Sequence, residues 1–199
     1  MLKNFQIKGA PTCRVAYPQT LFEKKAIPGV EGQPKYNAII LVPKDDKEKI
    51  DQINEAFAEA FKELQNSGFR GKSPANINPK NNCWVDGETY ADEADNREWA
   101  RDYMVLKVAS RNYRPIVCDK TGLTILNGVD MSGLPVEKIS PEKLESGDYI
   151  FANICFWTYN KAAAGIGCNI NAVIRAGAGE PIGAASGDVK SYIDMGEYA

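Results

Sequence analysis

The stretch DYIFANICFWTYNKAAAGIGCNINAVIR, Asp148 to Arg175, decides the architecture. Its second half alternates. Ile166, Cys168, Ile170, Ala172 and Ile174 point to one side, and Gly167, Asn169, Asn171, Val173 and Arg175 to the other, which is the period of a half-buried strand. In the first half Ile150, Ala152, Ile154 and Phe156 make the matching core face. Tyr149, Phe151, Asn153, Cys155, Trp157 and Tyr159 point the opposite way, so this second face carries four aromatic rings. Two such strands joined by Asn160, Lys161 and a run of small residues predict a β-hairpin. Rings beside amides and an arginine suit either a platform on which bases stack or a second layer of core.

A length of 199 residues fits one decorated domain or two small ones, and 44% hydrophobic with 25% charged residues is an ordinary globular composition. No apolar run reaches the roughly 18 residues of a membrane span, and Met1 to Ala10 lacks the apolar block of a signal peptide. The expectation is a cytoplasmic protein with no membrane partner. Five cysteines without a CxxC spacing (Cys13, Cys83, Cys118, Cys155, Cys168) read as reduced thiols, with neither a disulfide framework nor a metal site. The chain contains no histidine, which removes Ser-His and Cys-His nucleophile pairs, the HExxH metal motif and the zinc deaminase signature together. A formal charge of -2 supplies no general attraction to phosphate, so nucleic-acid binding would need a local basic patch.

Along the chain, Phe5 to Tyr17 reads as a broken strand, and Lys35 to Val42 as a buried one ended by Pro43. Asp45 or Asp46 then caps an amphipathic helix whose Ile50, Ile53, Phe57, Phe61 and Leu64 recur at helical spacing before Gly68. From Phe69 to Ala100 the periodicity vanishes, which predicts a long loop. Its first part is basic (Arg70, Lys72, Lys80, beside Trp84), and Asp86 to Glu98 holds six carboxylates against one arginine. A metal-dependent nuclease could use Asp92, Glu93, Asp95 and Glu98, although adjacent loop carboxylates are far more often solvated. Tyr103 to Val108 is the next strand. Between Arg101 and Lys120 five basic side chains outnumber two acidic ones, with Tyr103 and Tyr113 interleaved, and this is the local patch. Surface cations on an edge strand are the competing explanation.

The count is about five strands, one inserted helix and long loops: mainly β, in one domain. It suits an OB-fold-like five-stranded barrel, and other small β architectures equally well. The specific residues narrow the choice. Leu41 to Asp46 opening the helix, Arg114-Pro115-x-Val117-x-Asp119, Tyr159-Asn160-Lys161 to Gly165-Ile166, Asn171-x-Val173 and Gly179 to Gly183 together resemble the phage and prophage single-stranded DNA-binding proteins of the podovirus type. That resemblance implies an OB-fold, action in phage replication or recombination within the bacterial cytoplasm, sequence-tolerant binding of single strands, contacts with replication or recombination proteins, and a homodimer. Residues 1–186 are then the domain, with 69–100 as a loop insertion. Residues 187–199 are a weakly acidic C-terminal tail, short of the strongly acidic tail that such proteins use to recruit partners and compete with DNA. The acidic half of the 69–100 loop is a candidate for the competing role.

The expected site needs no catalytic residue, cofactor or metal. Lys107, Arg111, Arg114, Lys161 and Arg175 follow the phosphates, Arg70 and Lys72 close over from the long loop, and Tyr113, Trp157, Tyr159 and Trp84 offer rings. Two other readings stay open. One is a non-catalytic structural or adaptor β-domain, with the basic strand a solvated edge, and the other is the nuclease. For the rings themselves, packing of Trp157 and Tyr159 beneath the helix is the alternative to stacking.

Overall fold

The computed structural model describes residues 4–25, 33–130 and 133–182. The C-terminal tail, 187–199, lies outside the described residues. One antiparallel-dominated sheet contains eight strands: β1 (Phe5–Gln6), β2 (Arg14–Ala16), β3 (Tyr36–Pro43), β4 (Trp84–Asp86), β5 (Tyr103–Ser110), β6 (Ile116–Cys118), β7 (Tyr149–Asn160) and β8 (Ala164–Gly177). Their order is β4-β5-β3-β2-β7-β8-β6, with β1 added on β7. Five principal strands, β5-β3-β2-β7-β8, form the expected frame, and the short β1, β4 and β6 come in addition to it.

The sheet curls until its two sides nearly meet. Cys83 spans the gap with its backbone alone: its N–H donates to the Ile166 carbonyl (3.0 Å), and its own carbonyl accepts from the Lys107 N–H (2.7 Å). This single residue couples β8 to β5 where a closed barrel would have a full ladder, and the architecture is OB-fold-like.

Helix α1 (Lys47–Asn66) fills the concave side. The Asp46 carboxylate accepts from the Lys49 N–H (3.2 Å) as the N-cap, and Gly68 adopts a positive φ of 104° where the chain turns away. Ile53, Phe57, Ala60, Phe61 and Leu64 are buried against the sheet, and the rings of Phe57 and Phe156 meet edge to face at 5.8 Å.

Residues 69–100, expected as an unstructured loop, hold three 3-10 turns, β4 and a short helix α2 (Gly87–Ala91). The hydrophobic signal there is sparse because the segment packs by a few large residues. Val85, Tyr90 and Ala100 join Ala16, Leu41, Val105 and Ile182 in a second small core, with Trp99 and Tyr103 at its margin. Most of its carboxylates pair locally: Lys44 with Asp86 (3.0 Å), Arg97 with Glu93 (3.0 Å), and Arg101 with both Asp92 and Glu98. Among the described residues no group of three or more potential metal ligands comes together.

The main hairpin departs from strict alternation at two points, one between Tyr149 and Ile150 and one between Asn153 and Ile154, and the second reorders the candidate site. Asn153 stands opposite Ala172 but Ile154 stands opposite Ile170, so Asn171 is an extra residue, a β-bulge on β8. A one-residue slip moves every later side chain to the other face. Val173, expected on the wet side, is therefore buried opposite Ala152, whereas Ala172 and Ile174, expected in the core, are only half-buried.

Candidate nucleic-acid interface

Trp157 and Tyr159 lie on the face of β7 opposite Phe156, so they do not pack beneath the helix. Their cross-strand partners are Gly167 and Gly165. Each ring rests on its glycine: a methyl group at Gly167 would overlap the Trp157 indole, and one at Gly165 would overlap the Tyr159 phenol. The two rings neighbour one another at 5.2 Å between centroids, tilted by 38°, and Trp157 remains 38% exposed. The glycines act as a floor, so one face of the indole meets backbone while the remainder is open to a planar ligand.

The Tyr159 hydroxyl donates to the Asn81 carbonyl (3.1 Å), and the Lys107 ammonium donates to the Pro79 carbonyl (3.0 Å). Both bonds end on the same 3-10 turn, Pro79–Asn81, which presents Lys80 to solvent. Burial pushes the Lys107 ammonium below its usual pKa, and the nearby Glu93 partly offsets that shift. On the other flank the Asn160 amide donates to the Ser67 carbonyl (3.2 Å), bringing the end of α1 and the exposed Arg70 and Lys72 beside the hairpin turn that carries exposed Lys161.

The expected residues therefore fall into two groups and two exceptions. Trp157, Tyr159, Lys161, Arg70, Lys72 and Lys107 gather around the end of the β7–β8 hairpin. Arg111, Tyr113 and Arg114 occupy the turn after β5, where Tyr113 is 80% exposed and the Arg114 guanidinium lies over the Phe22 ring at 5.5 Å.

Trp84 is the first exception. It is buried in the main core, and its indole N–H donates to the Asn54 side chain of α1 (2.9 Å), so it cannot offer a face to a base. Arg175 is the second. The bulge at Asn171 turns it to the side of Ile150, where it bonds Asp148 (2.7 Å) and Glu142 (2.7 Å). With both carboxylates engaged, it has no charge to spare for a phosphate. Because the Asp148 side chain is only 3% exposed, Arg175→Met leaves a buried carboxylate without its partner. The expected result is a loss of about 3 to 5 kcal/mol of stability in chemical denaturation, with oligonucleotide affinity of the folded protein unchanged.

Lys80, Gly165 and Gly167 were missing from the expected site. The glycines did carry a signal, since a glycine facing an aromatic across a hairpin is a known way for a ring to lie down on a sheet.

Comparison with known proteins bears on the fold and the family. The fold matches the single-stranded DNA-binding protein from bacteriophage Enc34 in complex with ssDNA at 20% identity and a TM-score of 0.61, covering 90% of this chain and 98% of that one. It also matches gp2.5, a single-stranded DNA binding protein encoded by bacteriophage T7, at 12% identity and a TM-score of 0.58, covering 97% and 96%. No curated protein matches the chain. The family model described as "Enterobacter phage Enc34, ssDNA-binding protein" matches residues 7–197, nearly the whole length, and the chain belongs to that family.

Proposed function

We propose that the protein binds single-stranded DNA without sequence preference, bases stacking at Trp157 and Tyr159 and phosphates meeting Lys161, Arg70, Lys72, Lys80 and Lys107, with Arg111, Tyr113 and Arg114 farther along. The observation that carries this reading is the pair of rings laid over Gly167 and Gly165 beside exposed cations, in a member of this family. Every base has a π-face, so such a platform is indifferent to sequence. Binding alone accounts for the site, and no step of covalent chemistry is needed. Family membership also supports a setting in phage DNA replication or recombination in the host cytoplasm, as a homodimer and with proteins of those processes as partners. Among the described residues no helix is long and apolar enough to cross a membrane.

The test is quenching of tryptophan fluorescence by a dT oligomer over a range of salt, with and without magnesium. About four phosphate contacts give a log-log salt slope near -3, at ~0.7 per contact on single strands. An absence of binding at low salt returns the chain to a structural or adaptor role, and magnesium-dependent cleavage replaces binding by nuclease chemistry.

A further inference from the structure

The cations of the described chain are sorted by partner. Arg97, Arg101 and Arg175 pair with carboxylates, as do Lys44 and Lys49, and Arg14 is held by the Gly147 carbonyl and the Tyr103 hydroxyl. A second set has no carboxylate within ion-pair reach among the described residues, and part of it collects at the start of β3. There the backbones of Lys25 and Lys35 exchange two hydrogen bonds, both 3.1 Å, and Tyr36 stands opposite Ser110, the last residue before Arg111. Glu23, exposed beside Lys24, bridges to none of them.

This cluster differs chemically from the hairpin end. Its rings are already covered by the protein's own cations: the Lys24 ammonium lies over Tyr36 at 5.5 Å, and the Arg114 guanidinium over Phe22 at the same distance. Only Tyr113 keeps an open ring. The cations in turn crowd one another. Burial and then the charge of Arg111 push the Lys35 ammonium below its usual pKa, so Arg111 acts on it electrostatically. The cluster also lies in line with the first site. Lys107 pairs with Ile39 and Ser110 with Tyr36, three residues farther along both strands, or about 10 Å.

We infer that Lys24, Lys25 and Lys35, with Arg111 and Arg114, form a second contact for single-stranded DNA that takes phosphates rather than bases, extending the strand's path beyond the hairpin platform. This rests on the reading of the hairpin end as a single-strand site. A strand long enough to reach from one contact to the other feels both, whereas a short one is held by the rings and cations of the hairpin end.

The experiment compares the wild type with K24Q/K25Q/K35Q on dT oligomers of about 6 and about 24 nucleotides, lengths that bracket the footprint of one OB-fold. On the long oligomer the variant's salt slope falls by about 2, at ~0.7 for each of three lost contacts, while binding and quenching on the short one are unchanged. The corresponding K24R/K25R/K35R variant keeps the wild-type slope. The exposed K25Q alone, which leaves both backbone bonds in place, lowers the slope by ~0.7 and serves should the triple variant fold poorly. An unchanged slope on the long oligomer overturns the inference and leaves the platform standing, and so does an equal loss at both lengths. A wild type that binds neither oligomer overturns both.

Discussion

Trp84→Ala lowers the unfolding free energy by about 3 to 5 kcal/mol and leaves the affinity of the remaining folded protein for single strands untouched. The indole is 6% exposed, sits between β4 and α1, and satisfies the Asn54 side chain through its N–H. Truncation therefore removes a large packed surface and also strips a polar partner from a helix face. Trp84→Phe, which keeps most of the volume but not the N–H, falls between the wild type and Trp84→Ala, because it loses the bond to Asn54, a term of about 1 kcal/mol, and only part of the packed surface. Urea titration followed by circular dichroism measures both, and a Trp84→Ala protein of near wild-type stability with weakened binding would return Trp84 to the DNA site.

Trp157→Ala has the opposite profile. The ring lies over Gly167 beside Tyr159 and is 38% exposed, so its removal costs less stability than that of the 6% exposed Trp84. Binding of a dT oligomer weakens by about 1 to 3 kcal/mol, roughly 5- to 150-fold, the usual worth of one stacked base. Gly167→Ala moves in the same direction although the indole is still present, because the new methyl occupies the space in which the ring lies. Titration by fluorescence anisotropy with a labelled oligomer separates this from a stability effect, and full affinity in both variants would show that bases do not use this face.

The two tryptophans also show where sequence reading stops. Each is followed by a β-compatible residue and each lies near lysines, so local pattern alone gives no ground for placing one in the core and the other on the surface. What separates them is the partner across the sheet and above it: Asn54 and the helix for Trp84, a glycine and solvent for Trp157. Arg175 failed for a related reason. Alternation placed it correctly relative to its immediate neighbours, but the bulge four residues earlier, where Asn171 is the extra residue between Ile170 and Ala172, reversed its side, and its partners Asp148 and Glu142 are distant in the chain.

The helix, its caps, the core face of β7 and the hairpin were settled by the chain's own periodicity, because side-chain direction in a regular element repeats every two or 3.6 residues whatever surrounds it. The lack of histidine likewise narrowed the chemistry before any fold was known. Which cations stay free, which rings lie open and where the 69–100 segment packs were decided only in three dimensions. Ion pairing and ring exposure depend on contacts between residues far apart in sequence, and a single bulge is enough to exchange one set of contacts for another.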